Sequence, residues 1–312
     1  MTTNSEFHAH IANLAGYGVH FSTRDDGRRV RDEYHLQLDG YSVVLKQRDE
    51  ILGLRDSELA GNFVETTVAS VEGIQKFEDG VTLVSTLCSL LGFAVHSRVV
   101  PYEYQFAGQS RRSSVFGQYN SWRPPFHDAA DVTRFVELAW SRFTDVRERR
   151  ALDALFHMIV SSDLPSTPIE AQVTTAVQCL ESIGSYFALG EATRAGIQEN
   201  KRGFFLDKDD NELTFEALLG QAVTDVGMSL PPGFVTIRRL RNAIVHRGFI
   251  RENDKISTHI FGARPPGAMH HAMTDTFGTM QDIIREFILR LLGYHGRYFP
   301  YSTAGRVPSA IT

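Results

Sequence analysis

The spacing of apolar and polar positions divides the chain into two unlike parts. Over 16–70, short β-favouring runs alternate with turn residues, in 17–22, 33–47 and 62–70. Successive side chains of a strand point to opposite faces, so this period of two predicts strands with one buried face. Asp39-Gly40 lies between alternating flanks and predicts a hairpin, because the turns that match strand twist need residues tolerant of positive φ. Over 79–95 the period changes, and Leu83, Leu87, Leu90 and Leu91 fall on one helical face. Two more β-type runs follow, 97–106 and 113–119. The expectation for 1–125 is therefore a β-rich module with one packed helix.

Within 120–131 the Pro124-Pro125 pair breaks regular structure, and the Asp residues after it are candidate helix N-caps. A domain boundary is placed there. Beyond it the pattern is almost entirely helical, in 129–143, 147–162, 168–190, 213–223, 238–248 and 275–293. In the third of these Val173, Val177, Leu180 and Ile183 or Gly184 recur at three to four residues, with Gly190 placed as a C-cap. Residues 126–296 are thus expected to form an all-α bundle, and the chain as a whole to be α+β. Residues 297–312 have no period and read as a loose tail.

Charge limits the possible partners. A formal charge of −5 over 312 residues argues against coating nucleic acid nonspecifically or lying on an acidic membrane, since both need a broad positive field. Cys88 and Cys179 are the chain's two cysteines, and both fall in apolar helical patterns. That suits buried side chains in a reducing compartment better than a disulfide or a zinc site. No run of about 18 apolar residues occurs and the N-terminus has no basic leader, so neither export nor a membrane span is expected. The expected setting is the cytoplasm.

One stretch departs from the acidic average: "RRLRNAIVHRG", 238–248. Pro231-Pro232-Gly233 before it and Gly248 after it bound a short helix. Ile237, Leu240 and Ile244 form its core-facing stripe, while Arg238, Asn242 and His246 line another face with Arg241 beside them. Over 234–251 there are five arginines (238, 239, 241, 247 and 251) and no carboxylate. Two readings stay open on these residues alone. The arginines are solvated or paired with acids of neighbouring helices, such as Glu181, and His246 caps the helix C-terminus. Alternatively, Arg241 and His246 address one phosphate, with Arg238, Arg239 and Arg247 gripping flanking phosphates of RNA.

The segment "RNAIVH", 241–246, resembles the Arg-x4-6-His signature of HEPN domains, in the form where Asn directly follows the Arg. The resemblance spans roughly 128–296, with a long helix containing "CLESI" upstream and another long helix downstream. The β-rich segment before it is also similar to the N-terminal region of ApeA-like HEPN proteins of bacteria. Active HEPN domains are metal-independent endoribonucleases, so the resemblance implies that Arg241 and His246 are the catalytic pair, supported by Asn242. It further implies a homodimer whose two motifs face each other, RNA as substrate, no cofactor and no metal. A setting in bacterial toxin or anti-phage defence, with a cognate antitoxin or regulatory partner, comes from the family alone.

The implied chemistry suits those residue types. Cleavage of RNA by its own 2′-hydroxyl needs a proton acceptor, a proton donor for the leaving 5′-oxygen and a cation for the phosphate oxygens. Histidine titrates near neutrality, and arginine offers a fixed fork of donors. The rival expectation is a HEPN-like module that binds RNA, a nucleotide or an acidic protein without cutting it. A third, a metal-dependent hydrolase, differs from the first in its response to chelator.

Other candidates are weaker. His8-x-His10, in a terminus expected to be loose, and His270-His271 lack acidic or cysteine partners at ligand spacing. Residues 207–212, "DKDDNE", resemble the start of a calcium loop but lack its glycine, and read as an acidic turn. His157 is expected in the core, and Tyr102, Tyr104 and Phe106 on one face of a strand, inner rather than base-stacking.

Overall fold

In the computed structural model, which describes residues 6–16, 18–24, 27–114, 117–120, 122–164, 166–231, 234–247, 255–262, 265, 268–302 and 307–311, the period-two runs pair into one antiparallel sheet. Its strands are β1 (Phe7–Ala12), β2 (His20–Thr23), β3 (Arg29–Leu38), β4 (Tyr41–Gln47), β5 (Glu65–Glu72), β6 (Val100–Phe106) and β7 (Gln109–Arg112). They lie in the order β2-β3-β4-β5-β1-β6-β7. The β3–β4 hairpin turns at Asp39 and Gly40, with φ of 45° and 90°, as their tolerance of positive φ predicts. A short helix, α1 (Asp56–Leu59), lies between β4 and β5, and α2 (Phe77–Val95) covers the inner face with Leu83, Leu87, Leu90 and Leu91 buried.

The terminus read as loose is instead β1, an interior strand of the sheet between β5 and β6. Its sequence "FHAHIA" alternates correctly, but small alanines and two histidines carry little of the usual β signal. The run 113–119 is not a strand in its described part; β7 lies earlier, after a tight turn at Ala107-Gly108 with φ of 48° and 80°.

The helical part comprises α3 (Ala129–Val146), α4 (Leu152–Ser162), α5 (Ile169–Ala195), α6 (Phe215–Asp225), α7 (Phe234–Arg247), α8 (Lys255–Phe261) and α9 (Ala268–Leu291). Short pairs β8 (Gln198–Glu199) with β9 (Phe205–Leu206), and β10 (Gly296–Tyr298) with β11 (Ser309–Ile311), complete the order. Helix outweighs strand, 47% against 21%, because the main sheet ends at Arg112. Asp128 caps α3 by accepting from the Ala130 N–H at 2.7 Å, as expected of an Asp after the Pro-Pro break. Helix α5 does not stop at Gly190 but continues to Ala195, and Gly196, at φ 67°, supplies the left-handed residue after it. The expected helix boundaries Pro232, Gly233 and Gly248 lie outside the described residues, as does Arg251.

One core runs through both parts, from Phe7 to Ile311. Phe93 of α2 meets Phe135 of α3 at 5.7 Å and Phe156 of α4 at 5.0 Å, so an aromatic seam crosses the boundary placed at 125/126. A buried polar network crosses it too. His96, directly after α2 and at φ 52°, bonds Asp163 after α4 at 3.0 Å and Arg285 of α9 at 3.3 Å. Arginine has only N–H groups to offer, so Nδ1 of His96 accepts and Nε2 donates to Asp163. Tyr301 donates to the other Asp163 oxygen at 2.6 Å. The expected loose tail is therefore anchored: Tyr298, Tyr301 and Ile311 are buried, and β10 pairs with β11.

Candidate functional site

Helix α7 divides its residues as its period predicts. Phe234, Ile237, Leu240 and Ile244 are buried, while Arg238, Arg239, Asn242, His246 and Arg247 are exposed. Arg241 is half-buried, and side chains from three helices hold it. Its Nε donates to Glu181 of α5, its Nη1 to the Asn242 side-chain oxygen at 3.2 Å, and its guanidinium lies over the Phe215 ring of α6 at 5.3 Å. Arg238 pairs with Glu216 of α6. Two of the arginines are thus matched by carboxylates of neighbouring helices, so the local positive excess is smaller than the sequence run suggests.

The pair is nevertheless not sealed. The Arg241 side chain is 26% exposed, and His246 stands open to solvent in the last turn of α7, where the helix dipole favours a cation. Asn242, one turn earlier, is exposed as well. The helix therefore offers a solvent-facing imidazole in its last turn and, earlier on it, an amide bonded to a guanidinium that Glu181 holds on one edge. Such a set can donate and accept a proton and can meet an anion arriving from solvent. Sequence reasoning named Glu181 as a possible counter-ion but passed over Phe215 and Glu216, whose only signal is their place on the amphipathic segment packed beside α5.

The remaining candidates are dispersed. His8 and His10 sit on β1, with His8 Nδ1 3.0 Å from the Ser70 hydroxyl and the His10 ring 5.7 Å from that of Tyr102. Tyr104 and Phe106 do face inward, packing on Phe7 at 6.2 and 6.0 Å. Tyr102 does not: the β1–β6 register shifts between His10 and Ile11, and this bulge turns Tyr102 to the outer face against Phe63. His157 is exposed rather than in the core. His270 and His271 are exposed on α9, and Asp207 accepts from the Asp209 and Asn211 N–H groups in a polar turn. Among the described residues no three His, Cys, Asp or Glu converge as a metal site. Cys88 and Cys179 are free and buried, and desolvation pushes both thiols up, Cys179 to about 12. Helix α2 is, among the described residues, the one helix long and apolar enough to cross a membrane, and 61% of that window is buried inside the fold.

Comparison with protein-family models, curated proteins and solved structures finds no match to this chain, so the likeness to the HEPN signature rests on 241–246 and their surroundings.

Proposed function

We propose that the chain is a metal-independent endoribonuclease of HEPN type, acting as a cytoplasmic homodimer in toxin or anti-phage defence, with its β-rich module sensing a trigger, selecting RNA or restraining the nuclease. His246 moves the proton, Arg241 holds the phosphate and Asn242 supports them, while Arg238, Arg239 and Arg247 contact flanking phosphates. The observation that carries this reading is the solvent-open His246 on the same short helix as a guanidinium already oriented by Glu181 and Phe215. An arginine fixed on one edge keeps part of its fork for a phosphate and loses less freedom on binding it.

A second reading is favoured by the two ion pairs, Arg241–Glu181 and Arg238–Glu216. In it the helix is a binding or assembly module whose arginines are largely satisfied within the bundle. Labelled RNA incubated with the protein in EDTA separates the two. Cutting that persists in chelator and falls roughly 10²- to 10⁴-fold in His246→Ala, the usual effect of losing an acid-base group, supports the nuclease. RNA that is bound but left intact supports the module, and cutting abolished by EDTA supports a metal-dependent hydrolase. Arg241→Lys is also expected to be poor, because an ammonium does not reproduce the fork.

A further inference from the structure

A crevice lies between α2, α4 and the segment that leads into β6, and Arg98 lines it. Arg98, between α2 and β6, lines a cavity of about 200 Å³ with Ser89, Ser97, Asp153 and His157, and also a neighbouring one of about 480 Å³ with Asn62, Phe63 and Gln118. The two share Arg98 and Val160, and together they fall within the roughly 300–1,000 Å³ of small-molecule sites.

The charges in this crevice are unevenly matched. Asp153 is already engaged, accepting from Arg147 Nε and from the Ser89 hydroxyl, each at 2.5 Å. Arg98 has no carboxylate partner among the described residues; its guanidinium lies 3.4 Å from Nε2 of His157, a base rather than an anion. Partial desolvation, and then the Arg98 charge, hold the His157 pKa below its ordinary value. Desolvation likewise lowers that of Arg98. A Cβ on Gly117 would stand 2.7 Å from Cδ and 2.8 Å from Cγ of Arg98, so the Gly117 backbone lies directly against the arginine stem.

We infer that this crevice binds a phosphomonoester with a planar body, of nucleoside monophosphate size, its phosphate on Arg98 and His157 and its body in the larger cavity against Phe63. A cation beside a titratable imidazole suits a group whose own second ionisation falls near pH 6, since the proton can be shared between them. Phe63, 38% exposed and packed edge-on with Tyr102 at 6.0 Å, lines the larger cavity together with Asn62 and Gln118. The inference stands apart from the ribonuclease reading and shares no residue with it.

The test is NMR titration of the His157 ring, with calorimetry, using AMP, inorganic phosphate and adenosine as probes on the full chain. AMP is expected to raise the His157 pKa and to bind roughly ten- to a hundredfold tighter than adenosine, the worth of a charge-assisted hydrogen bond. Arg98→Met, which keeps the stem beneath Gly117, is expected to abolish that advantage, and a thermal melt checks that it folds. Adenosine binding as tightly as AMP overturns the proposal, as does phosphate binding as tightly as AMP. An unchanged His157 titration in the wild-type protein at millimolar AMP overturns it without recourse to any variant.

Discussion

Replacing Glu181 by Gln is the most informative change near α7, because it removes one charge while keeping size and a hydrogen-bond acceptor. Exposed ion pairs contribute about 0–1 kcal/mol, whereas breaking a fully buried one costs about 3–5. The Arg241 and Glu181 side chains are 26% and 30% exposed, which places this pair towards the exposed limit after solvent screening. The expected stability loss is about 1 kcal/mol, a melting shift of roughly 1.5 °C for a protein of this size. RNA affinity should move the other way. A phosphate docked on Arg241 would lie about 6 Å from the Glu181 charge, and their repulsion in a water-like dielectric is about 0.7 kcal/mol, or roughly threefold in affinity. One more uncompensated cation should also steepen the slope of log affinity against log salt by about 0.7 for single-stranded RNA. Fluorescence anisotropy across a salt series, with a thermal melt of the same samples, reads all three quantities. An unchanged affinity and slope, with a loss above about 3 kcal/mol, would mean that the pair is a structural clamp and that Arg241 does not meet phosphate.

Three further outcomes follow from the packing and the buried groups. Gly80→Ala would place a methyl 2.3 Å from the Phe7 ring, so although alanine favours helix by about 1 kcal/mol the variant is expected to lose about 1–3 kcal/mol in urea melts; a gain in stability contradicts this contact. Asp163→Asn removes the buried carboxylate that accepts from His96 and from Tyr301, and a loss of about 3–5 kcal/mol is expected by the same measurement, against less than 1 if the network is incidental. His157 has a folded pKa below its unfolded value, so its contribution is fully present above about pH 6.5 and is lost as pH falls towards the folded value. His157→Gln is expected to remove that part of the acid sensitivity below about pH 6.5, and identical pH profiles for variant and wild type would refute it.

The sheet and the helices were legible where side-chain period and punctuation agree. Asp39-Gly40 marked its hairpin, Asp128 its N-cap, and the expected stripe of α7, Ile237, Leu240 and Ile244, is buried, with Phe234 added to it. The errors have local causes. In β1 the buried Phe7, Ala9 and Ile11 alternate with His8 and His10, and the small alanine and the two histidines weaken the β signal of so short a run. Tyr102 left the face of Tyr104 because a bulge adds one residue to the register, which alternation along a single strand cannot reveal. The tail after 296 is anchored by aromatic contacts and the Asp163 bond, neither of which carries a period. At the candidate site the residues of α7 were readable from spacing, whereas the neutralising of Arg238 and Arg241 depends on how α5 and α6 pack beside them. The Arg98 crevice was not readable at all, since its residues come from five separate segments of chain.

The most direct measurement of the account's central claim is the mass of the RNA ends left after incubation with the protein in EDTA. Arg241 and His246 acting on the 2′-hydroxyl predict fragments ending in 2′,3′-cyclic phosphate, with 5′-hydroxyl partners, formed by the wild type and absent with His246→Ala. Intact RNA, fragments bearing 5′-phosphates, or the same fragments from the His246 variant would contradict it.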